Sequence, residues 1–134
     1  MAQAVNLPPI AVTTRDFDHL RLLSETSTHA AQFLAREIER ARLIEPEAAS
    51  TELVTMGSRV RYRDDVTGQE RTVTLVYPDR ADIETGHVSV LTPIGAALIG
   101  LSVGQSIEWE TPSRGLRSLT VVGVTGDRPN VRSL

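Results

Sequence analysis

The run Val88-Ser89-Val90-Leu91-Thr92-Pro93-Ile94-Gly95-Ala96-Ala97-Leu98-Ile99-Gly100-Leu101-Ser102-Val103-Gly104-Gln105-Ser106-Ile107-Glu108-Trp109 decides the fold. It reads as strand, short helix, tight turn and strand. Thr92 offers a side-chain oxygen to the free N–H groups of a helix start, and Pro93, which has no N–H to leave orphaned, suits the first helical position. Gly100 ends the helix because it tolerates the left-handed conformation of a C-terminal cap. Val103-Gly104 then turns the chain before Ile107 and Trp109 resume period-two alternation.

Outward from this run, strands dominate from residue 54 on. Val60 and Tyr62 alternate with Arg59, Arg61 and Arg63, residues 64–68 supply a turn, and residues 72–76 alternate threonine with valine and leucine, so the pair predicts a hairpin. Residues 78–86 form a polar loop carrying Asp79, Arg80, Asp82 and Glu84. Beyond Trp109, Pro112-Ser113-Arg114-Gly115 reads as a turn and residues 116–124 as a last strand. No connection is long enough for repeated helical crossovers. The expectation is an α+β domain over 52–126, with a mainly antiparallel sheet and one short helix on one face.

The N-terminal part has a helical period. Residues 1–12 read as a flexible lead, with Ile10, Ala11 and Val12 extended. Thr13 or Thr14 offers an N-cap, Asp16 and Asp18 suit the first turn, and Phe17, Leu20 and Leu23 lay an apolar stripe. Ser24, Glu25, Thr26, Ser27 and Thr28 favour local hydrogen bonds over helix and read as a turn before His29. Ala31, Leu34, Ile38 and Ala41 then recur as a coiled-coil-like seam, with Arg36–Glu39 and Glu37–Arg40 pairing along the outer face until Glu45-Pro46-Glu47 ends the helix. The expectation over 13–47 is a short antiparallel helical hairpin with arms of about 15–24 Å. The linker 48–52 would permit many angles to the sheet domain, and residues 127–134 read as a flexible tail.

At 134 residues and 40% hydrophobic, the chain supports one compact domain with an appendage, expected as a monomer. The absence of cysteine excludes disulfides and thiolate metal sites and fits a reducing cytosol, so a cytoplasmic location is expected. No apolar run reaches the 18 or so residues of a membrane span, and the N-terminus lacks the pattern of a signal peptide. A net charge of −3 argues against nucleic acid as a partner, although every basic residue is arginine, which suits carboxylate pairing at interfaces.

Three stretches carry a family resemblance: Val54-Thr55-Met56-Gly57-Ser58-Arg59-Val60, Thr74-Leu75-Val76-Tyr77-Pro78, and residues 90–104 of the opening run. In order and spacing they resemble the C-terminal domain of the bacterial Gre transcript-cleavage factors, and the whole chain looks like the short Gre-like members. The resemblance implies an FK506-binding-protein-like fold behind a shortened coiled coil. It also implies docking on RNA polymerase, at the β′ coiled coil on the rim of the secondary channel, through Leu91, Thr92, Pro93 and Ile94; Gre factors often carry a polar residue where Leu91 stands.

In such factors the coiled coil enters the channel, and paired acidic residues at its tip help hold the second catalytic Mg²⁺, a hard cation that takes oxygen ligands. The tip here, Ser24, Glu25, Thr26, Ser27, Thr28 and His29, carries one acid. The resemblance therefore implies a non-enzymatic polymerase-binding regulator without cofactor, which competes with Gre factors and does not stimulate cleavage. A second reading makes the Phe33 and Leu34 side of the hairpin a surface for another partner or for dimerisation. A third leaves weak cleavage to His29 and Glu25.

Other chemistry finds little support. His19, His29 and His87 lie in separate elements without ligand spacing, and His19 is expected on an outer helix face. No phosphate loop, nucleophile elbow or cysteine nucleophile is present. Asp64-Asp65 sits where a hairpin turn favours aspartate for backbone reasons. Prolyl isomerase activity would need an aromatic-walled pocket, and the five aromatic residues include Phe17 and Phe33 in the helical part.

Overall fold

The computed structural model describes residues 7–26, 28–111 and 115–125. Its elements run β1 (Ala11–Thr13), α1 (Thr14–Leu23), α2 (His29–Arg40), β2 (Arg42–Ile44), β3 (Arg59–Asp64), β4 (Glu70–Val76), β5 (His87–Ser89), α3 (Pro93–Leu98), β6 (Ser106–Thr111) and β7 (Gly115–Thr125), an α+β architecture. Five strands form one sheet in the order β5-β4-β3-β7-β6, antiparallel except for the β4–β5 pair. Beside it, β1 and β2 pair in parallel.

The local signals explain most boundaries. Alternation places Val60 and Tyr62 of β3 in the core and leaves Arg59, Arg61 and Arg63 exposed. The turn after β3 closes with Gly68 at φ 83°. Thr13 caps α1 by accepting from the Asp16 N–H, and Thr28 caps α2 by accepting from the Ala31 N–H at 3.0 Å. Gly100, at φ 85°, follows the end of α3.

Four expectations need correction. The lead segment is buried from Ile10 on: Ile10, Ala11 and Val12 are core residues, and the Ala11 N–H donates to the Gly100 carbonyl at 3.2 Å. Second, α2 stops at Arg40, before the proline, because residues 42–44 have a better partner in β1, where strand pairing outweighs helix propensity. Third, Glu37 is on the inner side of α2, 2% exposed; its pair with Arg40 forms at 2.8 Å, and Arg40 Nη1 also donates to the Pro8 carbonyl at 2.6 Å. The guanidinium thus neutralises a buried carboxylate and ties down the N-terminal segment.

The fourth concerns the helices, which are no free appendage. Leu20, Phe33, Leu34 and Ile38 belong to the same apolar core as Val60, Leu75, Leu98, Ile107 and Trp109. α2 packs against α3, and Phe33 stacks on Trp109 with ring centroids 5.9 Å apart. The many orientations expected from the 48–52 linker are reduced to one by this shared core. The region 127–134 and part of the turn before β7 lie outside the described residues.

Candidate functional site

The segment singled out for docking is built by the end of β5. The Ser89 carbonyl accepts from both the Thr92 N–H, at 3.1 Å, and the Thr92 hydroxyl, at 2.7 Å, while the Ser89 hydroxyl accepts from the Leu91 N–H at 3.0 Å. Thr92 Oγ1 in turn accepts from the Gly95 N–H at 3.0 Å, so Thr92 is the N-cap of α3. Pro93 is exposed, Leu91 and Ile94 are half-buried against the core, and residues 95–98 are fully buried. The segment is therefore a fixed corner presenting the Pro93 ring and one side of Leu91, Thr92 and Ile94.

Two residues that sequence reasoning passed over make this corner. One is Ser89, which anchors three of the four bonds. The other is Gly95: a Cβ there would stand 2.2 Å from the Ser89 carbonyl oxygen, so α3 approaches β5 more closely than any side chain permits. A glycine inside a six-residue helix was the available signal, since glycine weakens helices by about 1 kcal/mol relative to alanine unless closeness requires it.

At the other end, Ser24 caps α1, and Glu25, Thr26, Thr28 and His29 are exposed; Ser27 lies outside the described residues. Glu25 is the one carboxylate among the described tip residues. No group of three or more histidine, aspartate or glutamate side chains that could hold a metal occurs among the described residues. The Phe33 and Leu34 face, considered above as a docking surface, is covered: the two residues are 7% and 0% exposed within the core.

A second polar cluster joins the helices to the sheet. The buried Asp16 carboxylate accepts from the Met56 N–H at 3.3 Å. Burial, and after it the charge and hydrogen bond of Asp16, push the Tyr77 phenol well above the ordinary tyrosine range. His19 is exposed, as expected, but its ring stacks on Tyr77 at 3.9 Å. These residues border an open cleft of ≈ 980 Å³ between α1, the turn at residues 55–58 and the end of β4.

Asp64 and Asp65 hold their turn together. Asp64 pairs with Arg117 at 2.8 Å and accepts from the Val66 N–H at 2.9 Å. Partial burial alone would push the Asp65 carboxyl up; hydrogen bonds from Thr120, Arg63 and Ser118 outweigh it and hold the group below the usual carboxylate range. Trp109, 5% exposed, is part of the core rather than of an open aromatic pocket. No helix among the described residues is long and apolar enough to cross a membrane.

Residues 49–126 match the family model described as transcription elongation factor, GreA/GreB, C-term. The chain is 39% identical over 109 residues to the regulator of nucleoside diphosphate kinase of Escherichia coli (strain K12), covering 78% of this chain and 80% of that protein. It is 36% identical over 83 residues to transcription elongation factor GreA of Thermodesulfovibrio yellowstonii, and there it spans 52% of the relative. A solved prokaryotic transcription elongation factor GreA/GreB from Nitrosomonas europaea superposes with a TM-score of 0.69 at 37% identity, over 89% of this chain and 99% of that one. The matched region includes the turn at residues 55–58, the corner at Ser89 and Thr92, and all five strands of the main sheet, and on that ground the chain belongs to the GreA/GreB family of transcription elongation factors.

Proposed function

We propose that this protein is an RNA polymerase-binding transcription regulator that docks at the rim of the secondary channel without stimulating transcript cleavage, and that it competes there with full-length Gre factors. In this reading the five-stranded unit is the FK506-binding-protein-like docking body. Leu91, Thr92, Pro93 and Ile94 touch the β′ coiled coil, and α1 with α2 is a shortened coiled-coil hairpin.

One observation carries the reading: the helical part is short, acid-poor at its tip and fastened to the docking body. Helices of 10 and 12 residues reach about 15 and 18 Å at 1.5 Å per residue. Their shared core with the sheet leaves no hinge to extend that reach. A lone Glu25 supplies one carboxylate where a second Mg²⁺ would need a pair. The bound protein therefore occupies the channel entrance without completing the catalytic centre.

The test is a stalled elongation complex titrated with this protein alone, then with this protein against a cleavage-stimulating Gre factor. Suppression of Gre-dependent cleavage, with no cleavage by the protein itself, is the expected result. Undiminished Gre-dependent cleavage at saturating protein would remove the competitor reading. Cleavage by the protein alone that disappears in Glu25→Ala would replace it with an enzymatic one.

A further inference from the structure

The loop between β4 and β5 ends in a 3₁₀ turn, Ile83–Thr85, at whose head Ile83 is 93% exposed; the other exposed large apolar side chains among the described residues lie at 45–62%. Scattered surface apolar residues are ordinary. Ile83 differs in how firmly it is presented. The Asp82 carboxylate accepts from the Glu84 N–H at 3.1 Å, and the Thr85 hydroxyl donates to the Asp82 carbonyl at 3.2 Å. Gly86, at φ 78°, donates its N–H to the Ile83 carbonyl at 3.1 Å. Asp82 and His87 exchange two backbone hydrogen bonds of 2.9 Å each, and the Thr85 hydroxyl meets His87 Nδ1 at 2.7 Å.

A turn fixed in this way projects a branched apolar side chain into water at a position open to any polar residue. A contact made by such a group loses little conformational freedom, because the backbone is already ordered. The turn is also joined through β5 to the segment at residues 91–94. His87 opens β5, the edge strand of the five-stranded sheet, and the chain passes from β5 directly into Leu91, Thr92 and Pro93. Asp79, Asp82 and Glu84 are exposed around Ile83, with Arg80 the one cation among them. Carboxylates around an apolar anchor favour a cationic border on the partner and set its register.

We propose that the interface is one rim running from Ile83 past β5 to Pro93, with Ile83 as an apolar anchor for a polymerase surface whose socket is bordered by lysine or arginine. This inference rests on the docking reading and adds to it a second, separate contact. An anchor buried in a socket contributes far more to affinity than the contacts around it.

The experiment is a binding titration of purified RNA polymerase with the full chain, comparing wild type, Ile83→Ser, Pro93→Ala and the control Leu22→Ser. Leu22 is 62% exposed on α1, outside the proposed rim. The expected result is a roughly tenfold or greater loss of affinity for Ile83→Ser, as desolvation of one large aliphatic side chain implies, with Leu22→Ser unchanged. If Pro93→Ala weakens binding and Ile83→Ser does not, the docking reading stands and the Ile83 contact is refuted. Equal losses for Ile83→Ser and Leu22→Ser would also refute it. No binding by the wild-type chain would overturn the docking reading and this extension with it. Both serine variants replace exposed side chains, so the comparison does not depend on a core residue.

Discussion

Gly95→Ala sets two effects of known size against each other at the corner that orients Thr92 and Pro93. Alanine is the better helix former, by about 1 kcal/mol. Its Cβ would lie 2.2 Å from the Ser89 carbonyl oxygen, 2.8 Å from Val90 Cα and 2.9 Å from the Ser89 carbonyl carbon. All three atoms are backbone, so no flexible side chain can yield. Restoring ordinary contact requires α3 and β5 to separate by roughly 1 Å inside a close-packed core. Overpacking of that kind costs about 3 kcal/mol, at the upper end of its usual range. The net expectation is a loss of about 2 kcal/mol, which moves the urea midpoint down by about 1 M at an unchanged slope of about 2 kcal/mol/M. Equilibrium urea unfolding followed by the emission of the single tryptophan, Trp109, is the assay. A variant as stable as the wild type, or more stable, would show that helix propensity alone governs this site, and the close approach of α3 to Ser89 would have to be abandoned.

Asp16→Ala leaves the Met56 N–H without its acceptor and should cost about 1–3 kcal/mol in the same assay, whereas a neutral effect would mean that the helices and sheet are held by apolar contact alone. Phe33→Ala should cost about 3–5 kcal/mol and raise acrylamide quenching of Trp109 while leaving the elution volume of the folded chain unchanged; a change of oligomeric state would restore the reading of that face as an interface. Tyr77 gives a signed pH dependence. Its folded pKa lies above the ordinary 10.0, so unfolded chains release the phenolic proton near pH 10 while folded ones keep it. The stabilisation is complete below pH 10 and is lost progressively as the pH rises from there toward the folded value. Tyr77→Phe should flatten that alkaline decline, leaving the smaller part due to Tyr62, and an unchanged decline would place the cause elsewhere.

What could be read from the sequence is what depends on near neighbours. The β3–β4 hairpin follows from alternation around Val60 and Tyr62 and from the glycine-closed turn, and Thr92 and Gly100 mark α3 through bonds to residues three or four positions away. The strand Arg42–Ile44 reads as a continuation of the helix in sequence, because its partner, β1, lies on the far side of both helices in the chain. Glu37 lies outside the Ala31, Leu34, Ile38 and Ala41 seam and at pairing distance from Arg40, which reads as an outer face; its burial depends on Arg40 reaching across to Pro8, far away in sequence. The corner itself was only half legible. Thr92 and Pro93 announce a helix start, but the grip of Ser89 and the demand on Gly95 arise from two backbones meeting in three dimensions.

The bond from the Ala11 N–H to the Gly100 carbonyl also bears on how the chain is made. Gly100 meets Ile10 and Ala11 so closely that a Cβ would stand 3.0 Å from Ile10 Cβ, and the first strand, although β2 can pair with it earlier, lacks its seat on the sheet domain until that glycine exists. During synthesis, β1 and both N-terminal helices leave the ribosome with their apolar sides uncovered, and they stay so until α3 has emerged. An interaction so distant in sequence makes closure late and cooperative. A nascent chain arrested before residue 100 should therefore be sensitive to protease along its whole helical part, and one arrested after β7 has emerged should be protected from β1 onward.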